Sequence, residues 1–482
     1  MPTAATDRRI AIALFAALWA TYALVGPGFM VLNPNTVSRM GYIFALLHEH
    51  VANIDTVAAF TVDKAELAGH FYMDKAPGLS LLALPFVAGF DGLMHLLGAP
   101  TALIEDGQFS LHYILASTLA VLVTVAPLTA SGGAAVFAAA RRLGASRMAS
   151  GFAAVLFGLC TPAFGWGTVL FGHAATAGLL MLGFAQVLAA SDLPSPRQPL
   201  RAGLLAGLLL AGAVVIEFTA AIPAALIGLA GLYRLARLGD RARLGRSLGG
   251  VMLGAAAAAL PLLAYNTLVF GAPFQLGYGH VVGFEGMQRG FFGIVLPDPS
   301  VALALLVGAK RGLLPVSPVL AIVPLAWLAA RRWPMEIVAC VIAIPLSLLA
   351  INAGYAYWDG GAATGPRHLV PALPFLALGF APLWDRAGTA GRGLLATAAL
   401  ASLAISLLCA VTAMGAPVWE ENPLPDYLWP RFLSGDTHSL LALTGDGGFR
   451  WLVLLALPWL IAVRALGLVP TRSTVAAVPV TP

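Results

Sequence analysis

Charged residues and cysteines are scarce in this chain of 482 residues. Charged side chains make up 10% of the sequence and hydrophobic ones 59%, and the mean hydropathy is +0.87. This composition excludes a soluble globular fold of that length. The three cysteines, Cys160, Cys340 and Cys409, lie in separate apolar stretches without CxxC or His-rich spacing. Neither a disulfide framework nor a zinc site is therefore predicted.

Long apolar runs recur along nearly the whole chain. Runs of about 20 apolar residues are long enough to cross a hydrocarbon core of roughly 30 Å as helices. The sequence therefore predicts an all-α polytopic membrane protein, a single integral membrane domain over residues 1–482 with about twelve transmembrane helices. The predicted spans are approximately 10–31, 112–140, 148–165, 168–190, 202–217, 219–236, 248–268, 312–330, 335–353, 369–384, 393–414 and 450–468.

The distribution of basic residues sets the expected topology. Residues 77–98 are also apolar, but a crossing there would place Arg141, Arg142 and Arg147 outside, against the positive-inside rule. We therefore interpret 77–98 as a membrane-dipping or interfacial helix. Most of the basic residues, and both termini, then lie in the cytoplasm, as expected for a multi-pass protein of a bacterial inner (plasma) membrane. We expect the first apolar run to be the first crossing rather than a cleaved signal peptide.

Polar residues collect in four outer loops. The first periplasmic loop, with its interfacial helices, covers 32–98, and further periplasmic loops cover 269–311, 354–368 and 415–449. An anionic ligand such as a phosphate would account for basic residues on this side, although pairing with outer carboxylates or lipid headgroups is the competing interpretation. The basic residues placed there are Arg39, Lys64, Lys75, Arg289, Lys310, Arg311, Arg367, Arg431 and Arg450.

Several strings in and between these loops resemble one membrane family. They are NPNTVSRMGYIFALL at 33–47, HFYMDKAPG at 70–78, WGTVLFGHAATAG at 166–178, YNTLVFGAPFQLGY at 265–278, AKRGLLPVSP at 309–318 and WDGGAATGPRHLVPALPF at 358–375. The chain resembles the GT-C superfamily of integral membrane glycosyltransferases, in the branch of the protein O-mannosyltransferases and the lipid A aminoarabinose transferase. The resemblance implies an inverting glycosyltransferase. It would move a sugar from a polyprenyl-phosphate carrier to a cell-envelope glycan, lipid or protein on the periplasmic side.

The resemblance also implies roles for individual residues. Lys75 takes the family's lysine position before a proline, with one alanine inserted, and is expected to bind the carrier phosphate. Arg39 aligns with the family's arginine in the helix after the first crossing. Asp74 stands where the family has an acidic residue, and His173 lies at the outer end of the fourth crossing, where it is expected to touch the sugar or the acceptor. Simple ion pairing, a solvated helix face and a buried hydrogen-bonded histidine are the competing interpretations.

Four further candidates follow from the residues themselves. Glu217 is a carboxylate near a helix end in an apolar stretch, which is costly unless it is paired or neutral. Arg311 and Arg367 supply donors suited to a phosphate. Asp359 and Arg367 share a Gly-rich outer loop that could wrap a polar ligand, or could simply form a turn.

One position departs from the family pattern. The string NPNT at 33–36 stands where the family has Asn, Pro, Asp, Glu, and Asn35 cannot serve as a general base. We expect the base among the other carboxylates of the loop, with Asp55 and Asp74 as the catalytic candidates and Asp63 behind them.

Two other function classes stay open. A transporter or flippase would also need many helices, but the hydropathy shows no twofold repeat and the polar groups lie in outer loops rather than at the bilayer midplane. A non-catalytic binder of a polyprenyl-phosphate-linked substrate is the second. The string His48, Glu49, His50 lacks a metal-binding spacing, and no cofactor is predicted firmly. A divalent cation held by Asp or Glu beside the phosphate is left open.

Overall fold

The computed structural model describes residues 2–190, 198–442 and 447–466. Within these residues, nine helical stretches are long and apolar enough to cross a membrane. The chain is therefore a multi-pass helical membrane protein, and the predicted all-α class is confirmed. The stretches are Ala5–Val25, Gly78–Leu96, Leu111–Arg142, Gly172–Ala190, Gln198–Ile216, Phe218–Arg237, Arg241–Phe270, Met335–Ala353 and Thr389–Thr412.

Eight of these stretches coincide with predicted spans, and four predicted spans are built differently. The span 148–165 is a short helix followed by a single turn. The spans 312–330, 369–384 and 450–468 are chains of short α and 3-10 pieces, because prolines such as Pro318, Pro324 and Pro371 remove backbone donors. Residues 467 and 468 lie outside the described part of the chain.

The ninth stretch is Gly78–Leu96, for which the sequence predicts an interfacial position. Its 19 residues contain Pro85 and carry one acidic residue, Asp91. Its length and composition also suit a crossing.

The described helices are joined by connections of very different length. Two small antiparallel hairpins, Ala65–Leu67 with His70–Tyr72 and Ile104–Glu105 with Gln108–Phe109, lie in the long connections. The α-helices are Pro2–Val25, Pro34–Phe44, Gly78–Leu96, Leu111–Val123, Val125–Arg142, Arg147–Leu159, Ala163–Trp166, Gly172–Ala190, Gln198–Ile216, Ala221–Arg237, Arg241–Phe270, Pro299–Val307, Leu313–Val316, Val323–Ala330, Met335–Ala353, Leu373–Leu378, Phe380–Arg386, Thr389–Thr412, Trp429–Leu433 and Leu457–Ala465.

Ion pairs connect several helix ends. Asp7 lies 2.9 Å from Nε of Arg141 and 2.6 Å from Nε of Arg147. Arg234 and Glu336 form a similar pair at 2.9 Å. Helix Val125–Arg142 ends at this cluster and helix Arg147–Leu159 starts from it.

Small residues allow two of the long helices to touch along their backbones. Gly203 and Gly207 on helix Gln198–Ile216 face Gly250 and Gly254 on the neighbouring helix Arg241–Phe270. A Cβ at Gly254 would overlap the Leu204 carbonyl oxygen. This is the small-residue packing expected where two membrane helices approach closely.

We expect Gly254→Ala to lower the thermal unfolding midpoint of the detergent-solubilised protein, because the new methyl group separates the two helices. Gly249→Ala lies on the same helix with open space around its Cβ position. It should leave the midpoint unchanged or raise it slightly, since alanine is the better helix former by about 1 kcal/mol. Equal midpoints for the two variants would contradict the packing described. Differential scanning fluorimetry measures both.

Candidate functional site

A polar cavity of about 450 Å³ opens among the long loops. Its wall is built from the first loop, the start of helix Gly172–Ala190, Glu217, and the segments 278–287 and 355–368. Folding brings seven of the nine predicted site residues to this wall, although they are far apart in the chain. They are Arg39, Asp74, Lys75, His173, Glu217, Asp359 and Arg367.

The Lys75 ammonium is held between two carboxylates of the cavity. Its Nζ lies 2.7 Å from Oδ2 of Asp74 and 3.3 Å from Oδ1 of Asp63. Burial alone would lower the pKa of Lys75, but Asp63 and Asp74 outweigh it and raise that pKa above its ordinary value, so the amine is charged. Burial and the nearby Asp63 also raise the pKa of Asp74.

The segment that carries Lys75 is fixed from behind by hydrogen bonds. Arg39, which is 2% exposed, donates from Nη1 to the Ala76 carbonyl at 3.1 Å and from Nε to Asn35 Oδ1 at 2.9 Å. Tyr265 donates its hydroxyl to the Met73 carbonyl at 2.9 Å. Asn35 is therefore part of the support for this segment.

Histidines and an arginine form the opposite wall. Nδ1 of His173 lies 3.2 Å from Oε2 of Glu217, and the His173 and His368 rings meet edge to face with centroids 4.9 Å apart. The Arg367 guanidinium lies 5.0 Å from the centroid of the Phe171 ring, a cation–π contact. No ion pair between Arg367 and a carboxylate is present in the described part of the chain.

Several buried polar atoms around the cavity make no hydrogen bond within the described residues. Because buried polar groups in proteins are almost always hydrogen-bonded, such a cluster points to the polar groups of a ligand. The atoms are Oδ1 of Asp74, Nε of Arg367, Nε2 of His368, and both amide atoms of Asn352.

A second cavity continues from the first. It measures about 280 Å³ and shares four wall residues with the polar cavity: Glu217, Tyr278, Tyr355 and His368. We call this second cavity the apolar groove and the four shared residues the junction. The remaining wall of the groove is mainly hydrophobic and includes Phe218, Ile222, Leu276, Phe292, Ile294, Leu348 and Ile351.

Asp55 lies outside the polar cavity, on a partly exposed part of the first loop. Its Oδ2 lies 2.6 Å from Nδ1 of His70, and its Oδ1 accepts a hydrogen bond of 2.7 Å from the Phe71 amide. Burial raises the pKa of Asp55, but these two hydrogen bonds outweigh it and hold that pKa below its ordinary value. The carboxylate ties the turn at 55–60 to the neighbouring strand. Its catalytic role stays a prediction.

Arg311 is buried behind the Gly-rich loop and does not line the cavity. It is 1% exposed and donates from Nε to the Asp359 carbonyl at 2.8 Å and from Nη2 to the Gly361 carbonyl at 2.7 Å. A third bond, from Nη1, goes to the Lys310 carbonyl at 2.9 Å. Arg311 thus orders the loop that presents Asp359, and phosphate binding by its guanidinium stays a prediction.

Part of the cavity wall is not predicted from the sequence. Tyr278, Tyr355, Tyr357 and His368 line the cavity, and Asn352 lines the groove. All of them lie in or beside strings that resemble the family, but nothing in the sequence tells which aromatic side chain faces inward.

Other outer cations find partners away from the cavity. Lys310 lies 2.6 Å from Glu421, and Arg431 pairs with Asp436. Near the metal candidate, His48 and His112 both contact Oδ1 of Asp91 at 3.1 Å. No group of three or more His, Cys, Asp or Glu side chains placed to hold a metal ion occurs in residues 2–190, 198–442 and 447–466.

Comparison with known proteins supports the fold. No protein-family model matches the chain, and no curated protein matches it in sequence. Among solved structures, the Archaeoglobus fulgidus oligosaccharyltransferase AglB in complex with an inhibitory peptide and a dolichol-phosphate is 11% identical, with a TM-score of 0.51 over 86% of this chain and 56% of that one. The apo form of the oligosaccharyltransferase from the same organism is 14% identical, with a TM-score of 0.51 over 85% of this chain and 56% of that one.

A third solved structure is ArnT from Cupriavidus metallidurans bound to undecaprenyl phosphate. It is 15% identical, with a TM-score of 0.49 over 97% of this chain and 73% of that one. The chain thus spans about half the length of the archaeal enzymes it matches. It shares the fold of the membrane-embedded part of these archaeal oligosaccharyltransferases. The fold expected from the resemblance is confirmed.

We expect Lys75→Met to destabilise the protein more at pH 8 than at pH 5. The ordinary pKa of a lysine is about 10.4, and below that pH the stabilisation by Lys75 is fully present in the wild type. In the variant, two carboxylates face each other without a cation. Burial raises the pKa of Asp74 in the wild type against the lowering effect of Lys75, so loss of the Lys75 charge raises that pKa further. The stability of the variant then falls more than that of the wild type as pH rises above about 3.9, and it returns on acidification.

Lys310→Met is the matched control, because its partner Glu421 has a side chain that is 77% exposed. This control should show little change at either pH. Equal losses for Lys75→Met at pH 5 and pH 8, measured as thermal unfolding midpoints, would contradict the arrangement around Lys75.

Proposed function

We propose that the protein is an inverting glycosyltransferase that moves a sugar from a polyprenyl-phosphate carrier to a cell-envelope glycan, lipid or protein. The proposed setting is a bacterial inner membrane, with the cavity on the periplasmic side and both termini in the cytoplasm. The observation that carries the proposal is the junction, where a polar cavity containing cations meets an apolar groove. A polyprenyl-phosphate sugar is a ligand with one charged polar end and one long apolar end.

Arg367 is the cation best placed to receive the phosphate. Its Nε is buried without a hydrogen-bond partner in the described residues, and a guanidinium is suited to two-pronged contact with a phosphate. Lys75 contributes a second positive charge, although its ammonium is shared with Asp63 and Asp74. These cations would also stabilise the negative charge that grows on the phosphate as it leaves the sugar.

The apolar groove suits the first isoprene units of the carrier. It runs along the stretches Phe218–Arg237 and Met335–Ala353, both of which are long and apolar enough to cross a membrane. Ile222 in its wall is 47% exposed, so the groove is open on the side that faces lipid. A tail could lie there with its phosphate at the junction and its far end in the bilayer.

The shared fold supports the same class of ligand. The archaeal oligosaccharyltransferase of this fold has been solved with a dolichol-phosphate and an inhibitory peptide. A dolichol-phosphate is the kind of carrier that the proposal assigns to the present chain.

The first experiment measures release of polyprenyl phosphate from a panel of radiolabelled polyprenyl-phosphate sugars by the purified protein. We expect turnover by the wild type with one donor. Arg367→Met should weaken donor binding by roughly 10- to 100-fold, since a hydrogen bond to a charged group contributes about 1.5–3 kcal/mol. Lys75→Ala and Asp74→Asn should also weaken it, whereas Asp55→Asn, outside the cavity, should bind the donor normally.

Arg289→Met is the matched control, because Arg289 is an exposed outer arginine that does not line the cavity. It should bind donor as the wild type does. Tight donor binding without turnover would instead favour a non-catalytic binder. Donor movement across the bilayer of proteoliposomes without sugar transfer would favour a flippase.

A separate prediction concerns the apolar groove. Ile351→Trp fills part of the groove and should raise the KM for a long-chain donor while leaving the KM for a water-soluble short-chain analogue nearly unchanged. Leu346→Trp lies on the same helix but outside the groove and is 48% exposed, so it should change neither value. An equal effect of Ile351→Trp on both donors would show that the tail does not lie there.

A further inference from the structure

Four carboxylates line the polar cavity: Asp63, Asp74, Glu217 and Asp359. Transfer of a sugar to a hydroxyl group requires a base that takes the hydroxyl proton as the new bond forms. The four carboxylates differ in the contacts that their oxygens already make. These contacts indicate which of the four is free to act as the base.

Three of the four are committed to other contacts. Asp63 and Asp74 each give one oxygen to the Lys75 ammonium, at 3.3 and 2.7 Å from its Nζ. Asp359 accepts a hydrogen bond of 3.1 Å from the Gly361 amide and so shapes its own loop.

Glu217 has a different environment. No lysine or arginine forms an ion pair with it within the described residues. Its contact is Nδ1 of His173, 3.2 Å from Oε2. Its side chain is 13% exposed, against 2% for Asp74, so a substrate group in the cavity can reach it.

The position of Glu217 is also distinctive. Of the four carboxylates, Glu217 is the one at the junction, so it borders both the polar cavity and the apolar groove. A carrier with its phosphate at the junction would place the sugar beside this carboxylate. A Cβ at Gly172 would lie 2.9 Å from Oε2, so the glycine lets the carboxylate approach the first turn of helix Gly172–Ala190, whose peptide dipoles favour a negative charge.

We propose that Glu217 is the general base of the transfer and that His173 is a positioning residue that holds its carboxylate. This inference rests on the proposed function. The acceptor hydroxyl gives its proton to a Glu217 oxygen while its own oxygen bonds to the anomeric carbon. The bond from that carbon to the phosphate oxygen breaks, and its electron pair stays on the polyprenyl phosphate near Arg367 and Lys75. The proton then passes to solvent through the open cavity.

The test compares Glu217→Gln with the wild type in donor binding and in turnover. We expect kcat to fall by roughly 10²- to 10⁴-fold, the usual contribution of a general base, while donor affinity changes by less than about threefold. Glu217→Ala should recover at least about tenfold in turnover when formate is added, because a small carboxylate can enter the space left by the side chain.

The pH profile gives a second readout. Turnover by the wild type should fall on the acid side as Glu217 is protonated, and the residual turnover of Glu217→Gln should lack that fall. His173→Gln should shift the acid limb and lower kcat less than Glu217→Gln does. The charged and titratable groups that share the cavity with Glu217 are His173, His368, Arg39, Lys75, Arg367, Tyr278, Tyr355, Tyr357 and the carboxylates Asp63, Asp74 and Asp359.

Glu421→Gln is the control for removal of an outer carboxylate, because Glu421 does not line the cavity and pairs with Lys310. It should keep wild-type turnover. If the wild type transfers sugar and Glu217→Gln keeps more than a tenth of its kcat, or loses donor affinity in proportion, the inference is overturned while the proposed function stands. If the wild type transfers sugar from no donor, the proposed function fails and this inference with it.

Discussion

The buried Lys75 ammonium between Asp63 and Asp74 is the constraint on which the polar cavity depends. Removing three charged groups from water costs several kcal/mol for each ion unless they compensate one another. Asp74 and Lys75 adjoin in the chain, but Asp63 must be brought back by the hairpin Ala65–Leu67 with His70–Tyr72. The hydrogen bonds of Arg39 and Tyr265 to the same segment then hold its backbone rigid.

Close helix packing brings the second half of the site to the first. The glycine faces of helices Gln198–Ile216 and Arg241–Phe270 let the two backbones touch, and Glu217 follows directly at the end of the first of them. A Cβ at Gly78 would lie 2.6 Å from the Val215 carbonyl oxygen, so the segment after Lys75 also packs against that helix end. Backbone contacts thus bring Glu217 and Lys75 to the wall of the same cavity, without a direct ion pair between the two side chains.

The same residue types serve two purposes around the cavity, and the burial and the contacts of each side chain decide which purpose it serves. Arg311 and Asp55 have all their strong contacts with nearby backbone or with His70, so they stabilise loops. Arg367 lies at the cavity with its Nε left for a ligand. Glu217 lies there with a single contact, to His173. Sequence alone does not separate these cases, because each is a charged residue in a loop or at a helix end.

The sequence by itself determined the fold class and most of the long apolar helices. Those features follow from local properties, namely the length of apolar runs, the positions of prolines and the density of charge. Seven of the nine predicted residues meet at the cavity wall, because the resemblance and the cost of burying charge both select them. Only the tertiary structure decided which side chains face inward, that Asp55 and Arg311 do not, and that Glu217 borders a groove. These facts depend on contacts between segments far apart in the chain, and no local pattern encodes such contacts.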